Sequence, residues 1–210
     1  MQTAFVKDYF VDFDDIIVAE DSDGEGLTQA QVDFFHSSKC RDEESALLVV
    51  YHASRTDFTV FDPTKIGSGG GSIYGKGFYF CDNKYDITTY GSIIKSFYLN
   101  LTNPFIFGDT EDREAAKQNV LAFARILKAN GYKVTNDLLN QLYRELVRND
   151  GGIDTLIEQT CGEEVFVDYC KKVGYDGIMN RAIGDYVAFY PEQIKLCSNK
   201  NPKKTIDSAA

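Results

Sequence analysis

The sequence predicts an α+β fold, on three observations. Short runs rich in β-branched and aromatic residues occur early, at 46–52, 75–82 and 93–107, and again late, at 178–197. The block between them, 111–172, changes to helical spacing, which reads as a helical insertion because strands resume after it. Glycine- and proline-containing turns punctuate the strand-like runs throughout. At 210 residues the chain is long enough for one sizeable domain, here read as a single unit with an extension at 1–45, the insertion at 111–172 and a tail at 199–210.

Residues 1 to about 25 are acidic and aperiodic, and Asp21-Ser-Asp-Gly-Glu-Gly26 reads as a turn-rich linker. A helix should open after Leu27, with Thr28 as N-cap and Gln31 as its capping-box partner, and stop near Ser37-Ser38. Arg41-Asp-Glu-Glu44 is a charged turn. Ala46-Leu-Leu-Val-Val-Tyr-His52 is a continuous apolar run ending at a polar residue, the pattern of a buried strand. In the loop that follows, Phe58, Val60 and Phe61 should tuck inward, Asp62-Pro63 should turn, and Gly67-Ser-Gly-Gly-Gly71 should be very flexible.

Gly75-Lys-Gly-Phe-Tyr-Phe-Cys-Asp82 organises the rest. Phe78 and Phe80 share a parity and face one side of a strand, while Tyr79 faces the other. The glycines before them allow close approach of a backbone or a ligand and positive φ. Ile93 to Leu101 and Asn103 to Phe107 read as strands. Glu111–Ala129 and Asp137–Arg148 read as helices, with Gly131 as a C-cap signal. Gly151-Gly152 breaks the chain, and 153–172 holds one or two more short helices. Gly174-Tyr-Asp-Gly177 turns into Ile178-Met179. Asp185 precedes an aromatic strand ending at Tyr190, Pro191-Glu-Gln turns, and Ile194–Cys197 is the last strand before a frayed tail.

Composition excludes several functions. Five widely spaced cysteines without a CxxC pair suit a reduced protein with neither a disulfide framework nor a zinc site. Two histidines, His36 and His52, exclude a multi-histidine metal site. A net charge of −10 argues against a nonspecific grip on nucleic acid. No apolar run is long enough to span a membrane and no secretion signal opens the chain, so a cytoplasmic protein is expected. The glycine-rich segment matches neither a dinucleotide-binding nor a phosphate-binding loop.

Five pieces in order carry a resemblance: Tyr51-His-Ala-Ser54, the Gly75–Asp82 stretch, Tyr90-Gly91, Gly174-Tyr-Asp-Gly-Ile178, and Asp185-Tyr-Val-Ala-Phe-Tyr-Pro-Glu-Gln-Ile-Lys195. Together they resemble the ADP-ribosyltransferase superfamily, on its diphtheria-toxin and poly(ADP-ribose)-polymerase side, whose signature is His, Tyr and Glu. The transferase domains of phage polyvalent proteins are more similar still, with a segment like 31–42 leading into the histidine strand. The resemblance covers about 27–108 and 173–197.

That resemblance implies a split, mixed β-sandwich around an NAD cleft, with NAD as substrate and transfer of ADP-ribose to a macromolecular acceptor as the reaction. It implies that His52 bonds a ribose hydroxyl, that Tyr79 and Tyr90 sandwich the nicotinamide, and that Ala53, Ser54 and Gly77 border the ligand. Asp185 stands where the family usually has Glu, holding the nicotinamide ribose and stabilising developing positive charge. Asp is shorter by roughly 1.5 Å, and a misplacement near 1 Å can cost on the order of 100-fold in rate. Because chain elongation in relatives leans on that Glu, single-unit transfer to a protein is the expectation. Glu192 is the fallback acid; Arg55, Lys65, Lys76 and the glycine loop are candidates for the pyrophosphate.

Each residue alone also has a bland reading: core packing for the tyrosines, a satisfied strand-end histidine for His52, a turn residue for Asp185. NAD hydrolysis, a non-catalytic NAD- or ADP-ribose-binding module, and an interaction domain centred on the helical block stay open from the sequence.

Overall fold

The computed structural model describes residues 19–67, 73–107, 113–148 and 153–203. Among the described residues the architecture is α+β: a seven-stranded mixed sheet with five α-helices. The first helix, α1 (Gln29–Phe35), begins with the expected capping box: Gln31 N–H donates to Thr28 Oγ1 at 3.3 Å and Thr28 N–H to Gln31 Oε1 at 3.0 Å. Strands β1 (Val50–Ser54), β2 (Phe78–Cys81), β3 (Ile93–Leu99) and β4 (Pro104–Phe107) follow. Then come α2 (Arg113–Ala129), α3 (Asn136–Arg148), α4 (Ile153–Gln159) and α5 (Glu163–Lys172), and finally β5 (Gly177–Asn180), β6 (Asp185–Ala188) and β7 (Ile194–Leu196).

The sheet order is β4-β5-β6-β2-β1-β3-β7. Every pairing is antiparallel except β4 with β5. A parallel pair cannot be closed by a hairpin; it needs a long crossover. Helices α2–α5 are that crossover. α2 ends in a Schellman motif: Gly131, at φ +84°, donates to Lys128 O at 3.2 Å, and Tyr132 N–H reaches Leu127 O at 3.0 Å.

Alternation along the strands sorts side chains between the two faces. Phe78 and Phe80 of β2, with Tyr186 and Ala188 of β6, join Phe61, Phe97 and Leu99 in one cluster. Tyr79, Val187 and Phe189 pack on the other face with Phe105, Phe107, Phe123 and Phe166, under the helices. The parity read from the sequence at 78–80 is therefore the one observed.

The sheet has a weak joint at its centre. β1 and β3 share five register pairs and β2 and β6 share four, but β1 and β2 share one, Tyr51 with Cys81. The side chain of His52 partly replaces the missing ladder across this seam, by contact with the backbone of β2.

Two expectations are corrected here. The buried strand was expected at 46–52 with His52 at its end. The regular strand starts at Val50 and His52 is its central residue, because Leu47 is drawn into bridges with Asp21 and Arg41. The segment 21–26, expected as a linker, is fastened to the sheet: the buried Tyr98 hydroxyl donates to Asp21 Oδ2 at 2.6 Å, and Asp21 Oδ1 accepts from the N–H groups of Asp23 and Glu25.

The start of the tail is also seated. Thr28 Oγ1 donates to Lys200 O at 2.7 Å and Gln31 Nε2 to Asn199 O at 3.0 Å, so the cap of α1 holds the chain after β7. Residues 204–210 lie outside the described residues, as do 68–72, most of the glycine-rich loop, and 149–152, which contain Gly151-Gly152. The five cysteines are free. Among the described residues no helix is long and apolar enough to cross a membrane and no cluster of ligand types could hold a metal.

Candidate active site

A cavity of about 660 Å³ opens along the seam between β1 and β2, within the roughly 300–1,000 Å³ usual for small-molecule sites. Its walls include His52, Ala53, Ser54, Gly77, Tyr79, Tyr90 and Asp185. These residues are as many as 133 positions apart, from 52 to 185, and come from β1, the turn before β2, β2 itself, the loop before β3, and β6. Among the described residues this cavity thus collects every candidate named from the sequence resemblance except Glu192 and Lys76.

His52 is fixed first. Its Nδ1 lies 2.8 Å from Tyr79 O. A carbonyl can only accept, so Nδ1 carries the proton and Nε2 is left as an acceptor. Phe58, Phe61 and Phe80 surround the ring, with centroids 5.7, 5.1 and 5.5 Å away. This desolvation holds the imidazole pKa below its ordinary value, partly offset by the bond to Tyr79 O. His52 is therefore neutral near pH 7.

Tyr79 is held at both ends. Its hydroxyl donates to Gly75 O at 2.7 Å and accepts from the Tyr74 N–H at 3.0 Å. Burial pushes the phenol well above its ordinary pKa, so it stays protonated. Gly75, at φ +100°, packs against the backbone of Glu163 at the start of α5, which rules out a side chain there. Gly77 lines the cavity, yet its small size is set by Val187: a Cβ would overlap that side chain.

Tyr90 stands at the rim and is 52% exposed. What places it is Gly91, where a Cβ would fall on the backbone of Ser54. The Tyr90-Gly91 pair thus presses directly against the end of β1. Ser54 Oγ is committed to Thr56 O at 2.6 Å, a turn contact. Ala53 keeps its place in the β1–β3 ladder opposite Ile94.

Asp185 opens β6, paired with Cys81 on one side and Asn180 on the other. Burial raises its pKa from 3.8 to about 6; Asp82 and Asp86 add to the rise, and the Tyr74 hydroxyl opposes it. A carboxyl in a cleft with a pKa moved toward neutrality is a mark of a reactive site.

Of the other cations and acids considered, Arg55 and Lys65 line the cavity. Lys76 does not: it pairs with Glu164 on α5, drawn away from the cleft. Glu192 lies on the short turn Pro191–Gln193, outside the cavity walls. Sequence reasoning missed two buried residues: Tyr74, whose hydroxyl donates to Asp185, and Asn180, whose amide donates to the Tyr74 hydroxyl. Their partners are distant in the chain, so no local spacing could have announced them.

The chain matches the family model described as ADP-ribosyltransferase in polyvalent proteins over residues 42–204. A search of curated proteins gave no match. Among solved structures, one described as the crystal structure of an anti-CRISPR protein aligns with 70% of this chain and 93% of its own, at 13% identity and a TM-score of 0.31. A likeness that slight carries no inference. The family match spans most of the chain, including all seven described strands of the sheet and the residues that line the cavity, and on it the chain belongs to the ADP-ribosyltransferase family of polyvalent proteins.

Proposed function

We propose that this protein transfers one ADP-ribose unit from NAD to a protein acceptor and releases nicotinamide. The observation that carries this reading is the single seam cavity shared by His52, Tyr79, Tyr90 and Asp185. The seam itself, with one register pair between β1 and β2, is read as the split of the family's sandwich, and α2–α5 as the insertion expected at 111–172.

The residues fit the substrate. The neutral His52 offers an Nε2 acceptor to a ribose hydroxyl. Tyr79 and Tyr90 supply aromatic walls for a flat cation, and stacking of this kind adds roughly 0.5–1.5 kcal/mol per contact. Arg55 and Lys65 offer positive charge to a pyrophosphate at the same cavity. The ionised Asp185 holds the nicotinamide-ribose hydroxyl and stabilises the charge that develops at the anomeric carbon.

In the reaction, the bond between that carbon and the pyridinium nitrogen breaks and its electron pair leaves with nicotinamide. A lone pair of the acceptor forms the new bond to the same carbon. The acceptor's proton passes to a base, for which Asp185 is the nearest carboxylate on this reading. Oxocarbenium-like chemistry at an anomeric centre uses carboxylates in the same way in glycoside hydrolysis.

Incubation with NAD labelled in its adenylate and with a bacterial cell lysate as the source of acceptor proteins tests this. The expected result is nicotinamide release together with label in a protein band. Nicotinamide with free ADP-ribose alone would identify water as acceptor. Binding measured by calorimetry without any nicotinamide release, unchanged in Asp185→Glu, would mark a non-catalytic binding module.

A further inference from the structure

We infer that Tyr74 is a positioning residue, which fixes the Asp185 carboxylate and the Tyr79 ring in one rigid unit. Tyr74 is 1% exposed and sits just outside the cavity walls. Its ring lies parallel to that of Tyr79, at 9° and 6.4 Å between centroids. Its N–H donates to the Tyr79 hydroxyl at 3.0 Å. Its own hydroxyl reaches Asp185 Oδ2 at 3.5 Å and accepts from Asn180 Nδ2 at 3.0 Å.

The direction of the hydroxyl proton follows from chemistry. Tyrosine has one O–H, and the amide of Asn180 donates into the oxygen. The proton is thereby turned toward the carboxylate, which can only accept when ionised. Asn180 is fully buried on β5, in register with Asp185 on β6, so sheet pairing holds both partners. Tyr74 engages one oxygen of Asp185 through a contact at the long end of hydrogen bonding.

This arrangement matters because Asp185 is short. An aspartate on a strand end has fewer rotamers than a glutamate but less reach, so its position must be set by neighbours. Tyr74 is the neighbour that touches both the aromatic wall and the acid. The inference rests on Asp185 being the reactive carboxylate. The titratable groups facing Asp185 are Tyr74, Tyr79, Cys81, Asp82 and Asp86, and the variants below change only the first.

The test is Tyr74→Phe, which keeps ring and stacking and removes the hydroxyl. Carboxyl carbons labelled with ¹³C are titrated by NMR in the full chain, with Asp185→Asn used for assignment. The Asp185 midpoint should rise by about half a unit to one unit, since a bond to the charged form is lost. Nicotinamide release should fall roughly tenfold in kcat, with KM for NAD changed less than about twofold, as expected when a carboxylate that acts on the transition state is left less well placed. A second variant, 3-fluorotyrosine at position 74, strengthens the donor and should move the midpoint down.

A midpoint unmoved by both changes overturns the inference, whether or not the protein turns over NAD. A protein that releases no nicotinamide but shows both NMR shifts overturns the proposed reaction and keeps the link between Tyr74 and Asp185.

Discussion

On the proposed reading, Asp185 is where the chemistry and the stability of this protein meet. Its folded pKa, about 6, lies above the unfolded value of 3.8. The folded state therefore binds the proton more tightly, and its relative stability is greatest below about pH 4 and is lost as pH rises through 6. The shift corresponds to at most about 3 kcal/mol. The carboxyl is only partly buried, so solvent screening reduces this to about 1–2 kcal/mol. Asp185→Asn should accordingly be more stable than wild type at pH 7.5 in urea unfolding, and equal to it near pH 4. The same substitution should lower nicotinamide release on the order of 100-fold or more, as for loss of an electrostatic stabiliser. In wild type, kcat/KM should fall as pH drops below about 6, when Asp185 takes up its proton. A stability gain at both pH values would contradict this account of the carboxyl.

Among the elements, those governed by local rules were legible. The capping box at Thr28 and Gln31, the positive-φ Gly131 and the facing of Phe78, Tyr79 and Phe80 are set within a few residues of themselves. What escaped depends on distant pairing: the bridges that delay β1, the Tyr98–Asp21 bond that pins the acidic turn, and the pull of Glu164 on Lys76. The candidate site was readable as a set of residue types, because a resemblance supplied their order. The support behind it was not, because Tyr74 and Asp185 are 111 residues apart. Gly91 shows how tightly the elements hold the site. An added Cβ at 91 falls on the Ser54 backbone, which cannot yield as a side chain end could. Gly91→Ala should push Tyr90 off the rim by about an ångström, raise KM for NAD roughly tenfold or more, and lower stability by about 1–3 kcal/mol. An unaltered KM would show that Tyr90 does not touch the ligand.

For the molecule as a whole, the weak seam is the defining feature. One register pair between β1 and β2 leaves the two halves of the sheet to be joined by side chains. Phe61 is the main joint: its ring meets His52 from β1, Phe97 from β3, and Phe78 and Phe80 from β2, at centroid distances of 5.1–5.4 Å. Phe61→Ala should lower unfolding free energy by about 3–5 kcal/mol, read from the urea midpoint. Because Phe61, His52, Phe78 and Phe80 also wall the cavity, NAD affinity should fall with it. A loss below about 1 kcal/mol would mean that the seam is held by something else. The chain is acidic overall, at −10, while Arg55 and Lys65 stand at the cavity and offer it local positive charge.

The most direct measurement is a crystal structure of the protein with NAD, or with a non-hydrolysable analogue, in the seam cavity. The expected result is nicotinamide between Tyr79 and Tyr90, His52 Nε2 accepting from a ribose hydroxyl, and an Asp185 oxygen about 3 Å from the nicotinamide ribose. Density for the dinucleotide elsewhere on the molecule, or in the cavity with another carboxylate at that ribose, would contradict it.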